Sequence, residues 1–177
     1  MRADATRNVE AVLRAAARVF STDPLARISD VAAAAGVDKR TVYRRFDSRE
    51  ELLLAVYRAR LDRLAALVEA TLDDRPVRDA LLAFAEGGIR LSREWPVDIR
   101  TVTDPEVRRR REELDVRMDD FLRRAEQAGV LSRGLPDGWS LRVLQTQLHT
   151  VAQEMPSLPP AVAARLVVQT FLHGVGV

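Results

Sequence analysis

Residues 28–46, ISDVAAAAGVDKRTVYRRF, constrain this chain more than any other stretch. They read as two short helices joined by a tight turn. Val31, Ala34 and Ala35 give the first helix an apolar side, and Gly36 supplies the positive φ that ends it. Asp38 is placed to cap the second helix by accepting a bond from an orphan N–H. Val42 and Phe46 are one helical turn apart and point inward together. At about 100° per residue the opposite side carries Arg40 and Arg44, with Thr41 and Tyr43 on its shoulders. Lys39 and Arg45 flank it. A short helix with one buried edge and guanidinium groups on the other side fits the major groove of DNA.

The stretch resembles the helix-turn-helix of the tetracycline-repressor (TetR) family of bacterial transcription regulators. The matching residues are Val31-Ala32, Ala35-Gly36-Val37, Thr41, Tyr43, Phe46 and then Ser48-Arg49-Glu50-Glu51-Leu52. The turn glycine, the aromatic pair and the following capping box occur together and in order, which makes the match specific. Close resemblance covers roughly the first third of the chain; beyond it only the helical layout is similar. Two positions depart from the family pattern. Arg40 stands where the family commonly has Gly, so a side chain reaches where the backbone would otherwise approach DNA. Arg27 stands where a capping Ser or Thr is common; a guanidinium cannot cap in that way but can itself meet a phosphate. The DNA-binding candidates are therefore Arg27, Lys39, Arg40, Thr41, Tyr43, Arg44, Arg45 and Arg49.

Charge agrees with this placement. Residues 1–50 hold ten basic and seven acidic side chains, whereas the remainder holds 18 basic and 19 acidic. The basic excess sits with the helix-turn-helix, a weak footprint of a nucleic-acid surface. Lys39 is the sole lysine, so nearly all positive charge is Arg, suited to bidentate recognition of guanine and phosphate. No cysteine is present, which excludes disulfides, thiol catalysis and thiolate metal sites. The N-terminus is charged and lacks the apolar run of a signal peptide, and no apolar stretch reaches the roughly 18 residues of a membrane span. The expected location is cytoplasmic, without a membrane partner.

The rest of the chain reads as helix throughout. The expected fold is all-α, with about nine helices in total. An N-terminal three-helix DNA-binding domain, 1–47, is followed by a helical effector-binding and dimerisation domain, 48–177. Helix one runs from about Thr6 to Phe20 on a stripe of Val9, Val12, Leu13, Ala16, Val19 and Phe20. Arg2 and Arg7 stand at its start, within reach of DNA phosphates or simply solvated. Asp23-Pro24 breaks the chain before Ile28. Ser48-Arg49-Glu50-Glu51 has the form of a capping box and opens a long helix to about Leu72. Asp73-Asp74-Arg75-Pro76 marks the next turn. A helix follows to Trp95, interrupted by Gly87-Gly88, and Pro96 disfavours its continuation. A loop or short helix spans Val97 to Val102. Thr103-Asp104-Pro105-Glu106 starts a helix whose apolar face is Val107, Leu114, Met118, Phe121, Leu122 and Ala125, ended by Gly129. Its Arg108–Arg111 run before Glu112-Glu113 reads as a solvated, i,i+4-paired face. The last two helices span roughly Gly138 to Met155 and Pro159 to Gly174. The final one is apolar around most of its circumference and needs cover on more than one side. No later segment supplies that cover, so a second subunit is the natural solution. Leu148, Val162, Leu166, Val168, Phe171 and Leu172 are the interface candidates. The resemblance implies the same, since the family pairs through its last two helices into a four-helix bundle.

Catalytic constellations are missing. There are two histidines, no His-Glu-x-x-His, no carboxylate cluster at metal spacing and no serine in the setting of a nucleophile elbow. No enzyme activity, cofactor or metal is expected. The resemblance implies a ligand cavity among the C-terminal helices, for which Phe84, Gly88, Leu91, Trp95, Met118, Phe121, Leu122, Gln145 and His149 are the candidate linings. Mainly apolar walls favour a lipophilic or aromatic effector. The function expected from all this is a ligand-responsive repressor, binding double-stranded DNA at a palindromic, inverted-repeat operator as a homodimer. A helical protein-interaction module that has lost DNA binding and an all-α enzyme are the alternatives.

Overall fold

The computed structural model describes residues 2–72 and 75–175, with side chains for residues 8–72 and 75–173. The side chains of Arg2 and Arg7, and the Asp73-Asp74 part of the turn, lie outside the described residues. Among the described residues every regular element is helical. In chain order these are α1 (Arg2–Thr22), α2 (Ile28–Ala35), α3 (Lys39–Tyr43), α4 (Arg49–Leu72), α5 (Val77–Glu94), a single 3-10 turn (Ile99–Thr101), α6 (Pro105–Gln127), α7 (Trp139–Glu154) and α8 (Pro160–Val175). They form two compact units: Met1–Asp62 with Glu94–Arg108, and Arg63–Arg93 with Arg109–Val177.

The first unit is built on local signals. Val12, Ala16 and Phe20 of α1 are buried as their spacing requires, and Ala15 and Ala17 join them. The α1–α2 connection is a turn in which Asp23 Oδ1 accepts the Leu25 N–H at 2.9 Å. Ser48 Oγ accepts the Glu51 N–H at 3.0 Å, the first half of the expected capping box of α4. The reciprocal bond is displaced by one residue: Glu51 Oε2 accepts from the N–H of Asp47, at 2.6 Å. Leu52, Val56 and Leu61 then form the deeply buried edge of α4 in this unit. Residues 94–108 are fastened to the same unit by three arginines. Arg14 Nε lies 3.1 Å from Glu94, Arg58 Nη2 2.9 Å from Glu106, and Arg60 Nε donates to the Trp95 carbonyl at 2.9 Å. Burial pulls the pKa of the Arg60 guanidinium down to about 10, because losing water disfavours its charged form.

The second unit is a helical bundle around one apolar cluster. Phe84 and Ile89 of α5, Met118, Phe121 and Leu122 of α6, Leu144 and Leu148 of α7, and Val167, Val168 and Phe171 of α8 all belong to it. Asp104 caps α6 by accepting the Val107 N–H at 3.0 Å, with Pro105 as the first helical residue, where its missing N–H costs nothing. The outer face of α6 pairs along the helix, Arg109 with Glu113 at 2.6 Å and Arg111 with Asp115 at 3.7 Å. Gly129, at φ 72°, follows the end of α6 in the left-handed region. The two glycines inside α5 differ in surroundings. A methyl on Gly87 would collide with the end of the Leu67 side chain, whereas one on Gly88 would meet Leu148 Cδ1 at an ordinary 3.8 Å.

The surface of α8 corrects part of the sequence expectation. Phe171, Val168 and Leu148, assigned to a subunit interface by their helical spacing, are buried in the protomer's own core. The bundle turns their side of the helices inward, so they are already covered. Val162 and Leu166 stand exposed on α8, at 40% and 42% of their full surface, and Leu172 is half-buried.

Candidate DNA-binding site

The helix-turn-helix is α2, the turn at Gly36 and α3. The buried line of α2 is Ile28, Val31 and Ala32, while Ala34, expected on the apolar side, is exposed. Arg27 precedes α2 in extended conformation and offers it no side-chain cap, since a guanidinium carries donors only. The helix start is fastened from within: Asp30 Oδ2 accepts the Arg27 N–H at 2.7 Å. The sequence signal for this was the Arg27-x-x-Asp30 spacing, half of a capping box without its usual first residue. Gly36 adopts φ 68°, ψ 30°, and the Val37 N–H reaches back to the Ala32 carbonyl at 3.0 Å, closing the helix. Asp38 Oδ1 accepts the Arg40 N–H at 2.7 Å and so caps α3 as its position predicted. Regular α-helix ends at Tyr43, but the turn persists: the Phe46 N–H still donates to the Val42 carbonyl at 2.9 Å. Val42 and Phe46 are buried, which fixes the rotation of α3 about its axis.

That rotation places Lys39, Arg40, Tyr43, Arg44 and Arg45 on the exposed side, with Thr41 half-buried beside them. Among the described residues none of Arg27, Lys39, Arg40, Arg44 and Arg45 has an ion-pair partner. The two carboxylates of the motif, Asp30 and Asp38, are both turned to backbone N–H groups. Lys39, Arg40, Arg44 and Arg45 on α3 and its continuing turn, with Arg27 before α2, leave the motif with uncompensated positive charge, the electrostatic requirement for binding phosphate-rich DNA.

Arg49, the remaining candidate, is used differently. Its Nε donates to the Ala26 carbonyl at 3.0 Å, its Nη2 donates to the Pro24 carbonyl, and its guanidinium lies 4.6 Å from the centroid of the Phe20 ring. It pins the α1–α2 turn to the start of α4. Both acceptors lie more than twenty residues earlier in the chain, so its local sequence carries no sign of this role.

The candidate effector residues are only partly brought together. Phe84, Met118, Phe121 and Leu122 share the apolar cluster of the second unit, and Gly88 and Leu91 are buried on α5. Gln145 is half-buried and donates from Nε2 to Asp115 Oδ1 at 2.8 Å. The desolvated Asp115 carboxyl is held above its ordinary range. Trp95 belongs to the first unit, fully buried, and is not gathered with the others. His149 is exposed, as are Arg142, Thr146 and Gln153 along the same stripe of α7. Their spacing puts these four on one side of α7, but spacing alone does not say which side faces the core.

A capped helix-turn-helix with an unpaired cationic recognition face, joined to a separate helical bundle, defines a DNA-binding transcriptional regulator. The profile for "Bacterial regulatory proteins, tetR family" matches residues 12–56. The HTH-type transcriptional repressor LfrR of Mycolicibacterium smegmatis is 30% identical over 141 residues, spanning 77% of this chain and 73% of that protein. This chain belongs to the TetR family. The crystal structure of the TetR-like transcriptional regulator LfrR from Mycobacterium smegmatis in complex with proflavine superposes with a TM-score of 0.77 at 25% identity, covering 97% of this chain and 98% of that one. The ketosteroid transcriptional regulator KstR2 of Mycobacterium tuberculosis shares the fold, with a TM-score of 0.78 at 19% identity over 97% of this chain and 95% of that one. The chain is a regulator rather than an enzyme. No helix among the described residues is long and apolar enough to cross a membrane.

Proposed function

We propose that this chain is a cytoplasmic, effector-responsive repressor that binds an inverted-repeat operator as a homodimer. The observation that carries the reading is the unpaired cationic face of α3, held in fixed rotation by Val42 and Phe46. Residues 1–47 form the DNA-reading head. Arg40 and Arg44 point to base edges in the major groove, while Arg27, Lys39, Thr41, Tyr43 and Arg45 meet phosphates on its two sides. A two-fold dimer sets two heads about one helical turn of DNA apart, or a multiple of it. Residues 48–177 carry dimerisation, through the exposed side of α7 and α8 that includes Val162 and Leu166. They also carry the effector site, in the apolar bundle lined by Phe84, Gly88, Leu91, Met118, Phe121, Leu122 and Gln145. The aromatic effector class is supported by the proflavine complex of LfrR. An effector that binds one separation of the heads more tightly raises the energy of the DNA-bound state by that difference in affinity.

The test is a gel-shift of the full chain against the DNA upstream of its own gene, titrated in salt. A discrete complex whose affinity falls steeply with salt, and which carries two chains per site, is expected. Equal affinity for that DNA and for scrambled DNA of the same length overturns the reading. A helical interaction module that had lost DNA binding would give that result.

A further inference from the structure

A hollow of about 290 Å³ opens on the surface of the second unit, between the start of α5 and the end of α8. Its floor is apolar, made by Leu82 of α5 and Val168 and Leu172 of α8. Its rim carries Arg78 and Asp79 from α5 and Arg165, Gln169 and His173 from α8. None of the residues proposed to meet the effector lines it. We propose that this hollow binds a small amphipathic carboxylate, its head group held between Arg78 and Arg165 and its tail laid on Leu82, Val168 and Leu172.

The argument is one of charge. Arg90 is matched with Glu86, Arg109 with Glu113, and Arg123 with Asp119 and Asp120, each along its own helix. Arg78 and Arg165 come from different helices, converge on one hollow, and have no ion-pair partner among the described residues. Asp79, the single acid on the rim, pairs with neither. Two guanidinium groups lining one depression, with no matching pair of carboxylates, favour an anion there. A carboxylate accepts from both in the planar geometry that Arg favours. The apolar floor adds what an inorganic anion cannot use, contact area for a hydrocarbon tail. A cationic amphiphile gains the same floor but meets two like charges, so sign discriminates this site from a purely hydrophobic one.

Calorimetry of the full chain with octanoate tests the assignment, with octylammonium as the probe of equal tail and opposite head. Octanoate is expected to bind at one site per chain and octylammonium not to. The double variant Arg78→Ala, Arg165→Ala removes two exposed side chains and is expected to stay folded by circular dichroism. It should weaken octanoate about ten-fold. Arg142→Ala, which removes an exposed arginine outside the hollow, should leave octanoate binding unchanged. Octanoate affinity unaltered by the double variant places the acid elsewhere, including the apolar bundle, and overturns the proposal. Equal binding of octylammonium overturns it too. So does octanoate uptake seen only in the dimer-breaking double variant Val162→Asp, Leu166→Asp, because the second copy would then be what covers the hollow in the unmodified protein. Operator binding is measured separately on the same samples, so loss of the hollow and loss of the DNA-binding reading give different results.

Discussion

Two arginines on the same short helix are expected to do different work. Arg40 lies in the first turn of α3, exposed, on the side away from buried Val42 and Phe46. From there it reaches a base edge, with bidentate guanine as the best geometric match. Arg40→Ala should cost about 1–3 kcal/mol on the preferred operator and relax preference at one base pair per half-site. Arg45 lies past the end of α3 and should meet phosphate. Arg45→Ala should weaken every sequence similarly and flatten the salt dependence by roughly one unit of slope for each phosphate that Arg45 neutralises. Both variants are titrated on the operator and its single-base variants at several salt concentrations. An even loss across all variants for Arg40→Ala makes it a phosphate ligand instead. Arg49 should behave as neither. Its guanidinium bonds two carbonyls of the α1–α2 turn and stacks on Phe20, so Arg49→Ala should lower thermal stability by about 1–3 kcal/mol, the cost of leaving polar groups unsatisfied. At temperatures where the head stays folded, its salt slope should match the unmodified protein.

At the scale of elements, the interrupted α5 separates two effects that both begin with glycine. In a helix interior Gly costs about 0.8–1 kcal/mol against Ala through backbone entropy. At Gly88 an added methyl meets only ordinary van der Waals contact, so Gly88→Ala should recover most of that amount and raise the melting temperature. At Gly87 the methyl displaces Leu67, a packed residue of α4, and the gain is cancelled or reversed. Thermal melts of the two single variants decide between packing and propensity: equal stabilisation would show that Leu67 yields freely. Close approach of α4 to α5 accounts for Gly87, and nothing in the structure requires glycine at Gly88.

For the whole molecule, the assignment of α8 residues changes what a dissociating mutation must be. Phe171 is fully buried inside the protomer, so Phe171→Asp should unfold the bundle rather than separate two intact chains. Val162 and Leu166 are exposed, and the double variant Val162→Asp, Leu166→Asp should give a folded monomer. Light scattering at micromolar concentration and circular dichroism on the same samples distinguish these outcomes. A monomeric unmodified protein would remove homodimerisation from the proposal. Loss of the dimer should also weaken operator binding, because the second head then binds as an independent molecule instead of at the high effective concentration that the dimer confers.

What the sequence determined by itself is local. The Gly36 turn, the Asp38 cap, the inward pair Val42 and Phe46, and the apolar line of α6 from Val107 to Ala125 rest on interactions within one or two helical turns. Spacing along the chain reports such interactions directly. The cationic face of α3 was legible for the same reason, since two buried residues fix the rotation of a short helix. The tertiary structure decided whatever depends on distant segments. Arg49 looks like one more basic residue beside a DNA-reading helix until the Pro24 and Ala26 carbonyls are brought to it. Phe171 and Val162 sit on one helix that is apolar around most of its circumference, and only packing into the apolar cluster of the bundle covers the first and leaves the second exposed. Trp95 follows α5 directly yet is buried with α4 in the first unit, because the chain crosses back there for residues 94–108. Periodicity gives the angle of a side chain about its own helix; which angles become core and which stay surface is set by neighbours that the local pattern does not name.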